Sequence, residues 1–459
     1  MALEFSQIYN RRIELYGVAK VAALAAARSL DGTEKGIDNA VSQAEATVAA
    51  LAYRYGKEQF EWNESAISFA ESPDSSTWDS PSTAKTEPRK KYFVRVNTSG
   101  LGSQASVFSP VLLPVIDSAL KSIDLANVAI AGRTSIEVLP MAICAMSILP
   151  GAPRTNTGSS GTSVELVEYG FRRGISYNLM RLNPGGTSPE NYVIDPYLGP
   201  GVVSTSSRTS AAAVRPFVCS GKMWVPGLLG GTIKVSKGFP LPELFEQLNS
   251  RFDQYGGVEA ERCNPRGAPP DVNIKSFSFA SNIKWMKTPP TVQSPPESGE
   301  TNVLRNVADL AAMPAGLTAE AYGPLWAYAK AVPFSSYTAG KSETASGYTT
   351  FGTSNWSSLY KPAPVVGTTY PSPNPYMATT GDTVEKPRVE HRPFAQRGRR
   401  ILNIPLLSCT TSPETSGTAE VLAVGRFLMT IPATSTTIHG EFAGVLPQER
   451  IVGTVELFK

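Results

Sequence analysis

Histidine is almost missing from this chain: its 459 residues contain two, His391 and His439. His391 stands in Glu-His-Arg-Pro and His439 just before Gly440. Neither accompanies a nucleophile motif, and both read as surface or structural positions. The G-x-S-x-G elbow, the P-loop and the H-E-x-x-H helix are absent too. A hydrolase built on a histidine base therefore has almost nothing to work with. Charge is also scarce. Asp, Glu, Lys and Arg make up 18% and the net charge is +3, too little to suggest a nucleic-acid surface. No run of eighteen apolar residues occurs, so no segment has the pattern of a membrane-crossing helix. The first residues lack the basic, apolar and small-residue regions of a signal peptide. Four cysteines, Cys144, Cys219, Cys263 and Cys409, are far apart and form no CxxC or Cys/His spacing, so no metal site is expected.

What is present in excess is Gly (38) and Pro (37), together with Ser and Thr. That mixture favours turns, short strands and long surface loops. The even cysteine count in such a chain points to an oxidising compartment and two disulfides, with three possible connectivities. Cys219 with Cys263 is the preferred local bridge, since both lie beside turn-rich segments. Closing that loop stabilises by about 4 kcal/mol in the chain-entropy model.

The strongest periodic signal is at the start. Leu3, Ile8, Leu15, Val18, Val21, Ala22 and Leu24 recur at helical spacing without an N-cap residue. Ala22, Ala23, Ala25, Ala26 and Ala27 follow, in a segment of high helix propensity that lets backbones approach closely. Gly32 reads as the breaker, and a second alanine-rich helix is expected from Gly36 to Tyr55. Downstream, Lys91–Asn97 alternates as a strand. Val164–Tyr169 and Ile175–Met180 suggest a hairpin around Arg172, Arg173 and Gly174. Asp195–Pro216 reads as loop and Phe217–Cys219 as strand. Pro240–Phe252 is the clearest internal helix, with Leu244, Phe245, Leu248 and Phe252 on one face. Pro333–Pro393 is a Tyr/Ser/Thr/Pro-rich arm. Arg400–Leu407, Glu420–Ile431 and Arg450–Leu457 close the chain as strands.

The expected fold class is α+β: an N-terminal long helix or helical hairpin, then a β-rich mixed body with long loops. The expected divisions are helices over 1–56, a mixed domain over 57–293, a loop-rich region over 294–398 and completing strands over 399–459. No catalytic constellation emerges. Ser118…Lys121 and Ser82…Lys85 match S-x-x-K without its partner motifs. Asp74-Ser-Ser-Thr lacks the further oxygen ligand of a von Willebrand-type metal site. Glu165 and Glu168 read as a solvated strand edge. The Arg397–Arg400 cluster reads as charge that guards an apolar strand.

The segment Leu3-Glu-Phe-Ser-Gln-Ile-Tyr-Asn-Arg-Arg-Ile-Glu-Leu, followed by Val21-Ala-Ala-Leu-Ala-Ala-Ala-Arg, resembles the stretch after the membrane helix in TadE/TadG-like Flp pilus-assembly proteins. Arg400-Ile-Leu-Asn-Ile-Pro-Leu-Leu-Ser-Cys, Val424-Gly-Arg-Phe-Leu-Met-Thr-Ile-Pro-Ala and His439-Gly-Glu-Phe-Ala-Gly resemble the C-terminal end of the longer, TadG-type members. The likeness covers the first thirty and last sixty residues. Two departures stand out: Ala19-Lys20 where the family usually has Ala-Asp, and no apolar membrane helix ahead of the motif. The resemblance implies an extracytoplasmic, non-enzymatic pilus component, periplasmic or extracellular and tethered to the inner membrane in a longer form. It implies no cofactor. Partners would be other pilus proteins or copies of the chain, met through a helix face of Leu3, Ile8, Leu15, Val18, Ala22, Ala25 and Ala26. The alternative is a secreted adhesin-like module whose Tyr/Trp-rich arm contacts carbohydrate or a surface.

Overall fold

The computed structural model describes all residues except 1, 31–33, 54–57, 103–105, 159–160, 199–207, 226, 229–231, 278–285, 288–296, 301–302, 307–321, 342, 345, 361–364, 367–369, 410–415, 448–452, 454 and 459. The chain divides into two units, Met1–Ile136 with Val452–Lys459, and Glu137–Ile451. This division differs from the expected one. The helices end near residue 50, but the strands that follow them pack on those helices and belong with them. The class is the expected α+β.

In the first unit, α1 (Ala2–Arg28) and α2 (Glu34–Ala49) form the helical hairpin. The expected breaker Gly32 lies outside the described residues. Leu15, Val18, Ala19, Ala22, Ala23 and Ala26 are buried in an i, i+3, i+4 series against Ile37, Ala40, Ala44 and Val48 of α2. Alanine at these positions brings the helices close to each other and to a sheet. That sheet is antiparallel, in the order Val455–Leu457, β3 (Val128–Arg133), β2 (Phe93–Asn97), β1 (Ile67–Ala70). Phe93 opposes Gly132, whose Cβ, if present, would fall 2.2 Å from the Phe93 ring. Only glycine fits there. Arg133 closes the C-terminal end of α1. Its Nε donates to the carbonyl of Ala27 at 3.2 Å and its Nη2 to that of Arg28, a cation set on the negative end of a helix dipole.

The second unit is built on seven strands. β4 (Met141–Cys144), β9 (Asn191–Ile194), β10 (Thr232–Lys237), β11 (Ile401–Leu407) and β12 (Ser416–Met429) pair in a ring, because the long β12 bonds both β10 and β11. β13 (His439–Val445) adds to β12, and β8 (Ser176–Asn178) adds to β13. A closed ring leaves its members no free edge. β11 and β4 make the one parallel pair among the described strands. A separate antiparallel sheet comprises β5 (Ala152–Gly158), β6 (Gly161–Glu168) and β7 (Phe171–Arg172).

Several local readings change. The hairpin turns at Tyr169–Gly170, both at positive φ (49° and 82°), the geometry of a tight two-residue hairpin turn. The segment after it, β8, pairs elsewhere. The expected loop and strand around residues 211–220 are instead α3 (Ala211–Ser220), which Ser210 caps at the N–H of Ala213 and which carries Pro216 inside. The expected helix near Pro240 is α4 (Leu241–Asn249), continued by a tight turn at Ser250–Phe252.

Candidate functional site

Both histidines are occupied by structure. His391 Nδ1 bonds the Asp253 carboxylate, which Arg388 also holds. His439 is pushed down to about 4 by burial. Ser82, Ser118 and Lys121 are exposed, and Lys85 pairs with Asp38. The described residues therefore assemble no nucleophile–base pair at these positions.

The cysteines pair as Cys219–Cys263 and Cys144–Cys409. The first is the expected local bridge. The second joins the ends of β4 and β11, where those strands run parallel. Cys144, Cys409 and Glu190 cluster with ligand-like spacing, but both sulfurs are spent in the disulfide, and Glu190 accepts from Lys237 at 2.8 Å.

The acidic pair on β6 corrects its expected role. Glu165 and Glu168 are buried, not a solvated edge. Arg172 Nη2 lies 2.7 Å from Glu165. Arg173 binds Glu168 at 2.5 Å and Glu343 at 2.9 Å, and Arg426 reaches Glu343 at 3.2 Å. Burial disfavours the Arg172 and Arg173 charges, yet Glu165 and Glu168 more than offset it and raise both guanidiniums. The tight turn at Tyr169–Gly170 is what brings acids and arginines together. Arg400 is likewise buried, not guarding a strand. It donates to the carbonyls of Asn273, Lys275, Met429 and Thr430, with Phe252 and Phe277 over its guanidinium at 4.4 and 5.0 Å. These are frameworks of the fold, without an open reaction centre.

In the Tyr/Trp-rich arm, Trp356, Tyr360 and Tyr376 are core residues. Trp326 stacks edge-on to Trp356 at 4.7 Å. These rings offer no face to a carbohydrate.

Among the described residues, an open apolar surface lies on α1. Its predicted assembly face divides: Leu15, Val18, Ala22 and Ala26 are buried within the first unit, Ile8 and Ala25 are half-buried, and Leu3 is 72% exposed. The buried part is taken up by α2 and the sheet. In the N-terminal half of the helix, Phe5, Tyr9, Ile13 and Tyr16 are all exposed. Their spacing of four, four and three residues puts them on one stripe. Tyr9, Arg12, Ile13 and Tyr16 line a shallow groove with Asn127, whose amide holds the Arg12 carbonyl at 3.1 Å. At the first turn, the buried Glu4 accepts the N–H groups of Val111 and Leu112 at 2.6 and 2.7 Å. This fastens a loop whose Val111 and Val115 are 81% and 84% exposed, with Leu112 and Ile116 beside them. Periodicity in the sequence marks the helix and its buried side. No local pattern marks the loop.

Single exposed apolar residues are ordinary, but four on one helical stripe are not scattered singly. No helix among the described residues is long and apolar enough to cross a membrane. No protein-family model, curated protein or solved structure matches the chain.

Proposed function

We propose that this chain is an extracytoplasmic, non-enzymatic component of a Tad/Flp-type pilus system, a minor pilin-like or pilus-assembly subunit working through protein–protein contacts. The observation that carries the reading is the exposed stripe Phe5, Tyr9, Ile13 and Tyr16 on a helix whose other face is fixed in a core. Such a helix presents an apolar row at helical spacing to a partner helix without having to fold on binding. The likeness of residues 3–28 to the segment after the membrane helix of TadE/TadG-like proteins supports it. So do the two disulfides, which belong to an oxidising compartment. The contact surface of α1 is then its exposed side and not the alanine face.

The test is a photo-crosslinking amino acid placed at Tyr9 or Ile13 in the source cells, with fractionation of the same cells. Crosslinks to another Tad component, from an extracytoplasmic chain with oxidised cysteines, are the expected result. A reduced cytosolic chain, or crosslinks to lipid alone, overturns the reading.

A further inference from the structure

In the second unit, positive charge accumulates at one place in excess of the acids around it. Beyond the end of α3 a cavity of about 370 Å³ is lined by Lys222, Arg251, Arg266, Arg397 and Arg399, with Glu137 as the one carboxylate of the lining. Glu137 stands 3.5 Å from Lys222 Nζ, and both are well exposed, so that pair is weak.

Burial disfavours the charge of the inner Arg399, against the weaker attraction of Tyr255, Asp271 and Glu137. Arg251 is 1% exposed. It donates to the carbonyls of Val218 at 3.0 Å and Leu248 at 3.4 Å, and its Nε–H has no partner. Arg399 donates to the carbonyls of Cys219, Ser220 and Pro269 at 2.8, 2.6 and 3.0 Å. Neither forms an ion pair with a described carboxylate. Burial, then the repulsion of Arg399, pulls the Arg251 guanidinium well below its usual range. Gly221 lies between them: a Cβ there would stand 3.1 Å from Arg251 Nη2 and 3.2 Å from Arg399 Nη1.

The contrast with Arg172 and Arg173 is direct, since each of those has a carboxylate within 2.7 Å. A buried cation without an anion is strongly unfavourable, and an entering anion removes that penalty. A lining with one carboxylate against five cations favours a multiply charged anion over a monovalent carboxylate. Guanidinium forks match the oxygen geometry of a phosphate group.

We propose that this cavity is a phosphate-binding site, in which Arg399, Lys222, Arg266 and Arg397 contact the group and Arg251, sealed behind Gly221, adds its charge. The group comes either as the free ion or as a phosphomonoester.

The experiment is calorimetric titration of the full chain with inorganic phosphate and with glycerol phosphate at low salt, with acetate as the monovalent control. One site that weakens with added salt is expected. Arg397→Gln and Lys222→Gln, both at the rim and tolerable to the fold, should each weaken it about tenfold. Arg262→Gln, outside the lining, should change nothing. Tighter binding of glycerol phosphate assigns the site to a phosphomonoester, and equal or weaker binding assigns it to the free ion. No binding at about 10 mM, binding of acetate as tight as phosphate, or binding indifferent to both rim variants overturns the proposal.

Discussion

The two units bury different chemistry. The first buries small apolar side chains: alanines of α1 and α2 against Phe69, Val94, Val96 and Ala131 of the sheet. The second buries large aromatics together with whole ion pairs and arginines held by carbonyls, and it holds both disulfides. Close apolar packing needs no directional partner, so the first unit can hold α1 by one face and leave the other open. The second unit's interior is directional. Glu165 needs Arg172, Glu168 needs Arg173, and Arg400 needs its four carbonyls. Removing one member there leaves a buried charge, whereas removing a methyl in the first unit leaves only a small void.

The largest expected effect follows from the cross-links. Loop length in the chain-entropy model assigns about 5–6 kcal/mol to Cys144–Cys409 and about 4 kcal/mol to Cys219–Cys263, for separations of 265 and 44 residues. Reduction should therefore lower the urea midpoint of the second unit, followed by its tryptophan fluorescence, and Cys144→Ala/Cys409→Ala should cost more than Cys219→Ala/Cys263→Ala. The reverse order would show that loop closure does not govern this unit.

Next in size is the Glu165–Arg172 pair. Glu165→Leu or Arg172→Met alone should destabilise by about 3–5 kcal/mol, and the double variant should recover much of it. An additive double loss would remove the directional account of this core. The matched change in the first unit is Ala22→Leu, which overpacks the helix interface at a cost of about 1–3 kcal/mol and which circular dichroism of α1 during unfolding would report.

Smaller again is a pH effect within β13. Burial pushes the Glu441 carboxyl up to about 7, even though it accepts the N–H groups of Ala327, Tyr328 and Ala329. Its stabilising contribution is full below its ordinary 4.5 and is lost as pH rises through 7. Burial pushes His439 down to about 4, so its contribution is full above 6.5 and lost as pH falls toward 4. The two slopes oppose each other between pH 4.5 and 6.5. Urea midpoints of the parent chain should stay level there. Those of Glu441→Gln should rise with pH, and those of His439→Gln should fall.

Legibility in the sequence follows the same divide. α1, α4 and the strands around Arg400–Leu407 and Glu420–Met429 are readable because their patterns are local and long. Glu165 and Glu168 read as a solvated edge because charge on a strand usually faces water, whereas the turn at Tyr169–Gly170 is what brings their partners to them. α3 was hidden by Pro216 and a Ser/Thr-rich approach. The β-ring and the Cys144–Cys409 bridge depend on pairings hundreds of residues apart, which no local period encodes. On the contact surface, periodicity marked the apolar alanine face of α1, and apolarity alone does not distinguish a face already buried at home from one that is open. Phe5, Tyr9, Ile13 and Tyr16 were in plain view in the sequence, but only the packing of α2 and the sheet makes them the exposed side.

That last distinction yields the smallest expected stability change. Tyr9→Ser with Ile13→Ser removes exposed apolar surface without touching the core, so stability should move by no more than about 0.5 kcal/mol per site. Ala22→Leu, with a larger stability cost, leaves the stripe intact. If α1 works through its open side, the Ser pair should abolish crosslinking from a probe at Phe5 while Ala22→Leu preserves it. If the alanine face is the contact instead, the two variants must exchange outcomes, and the first unit's core would have to open for the partner to reach it.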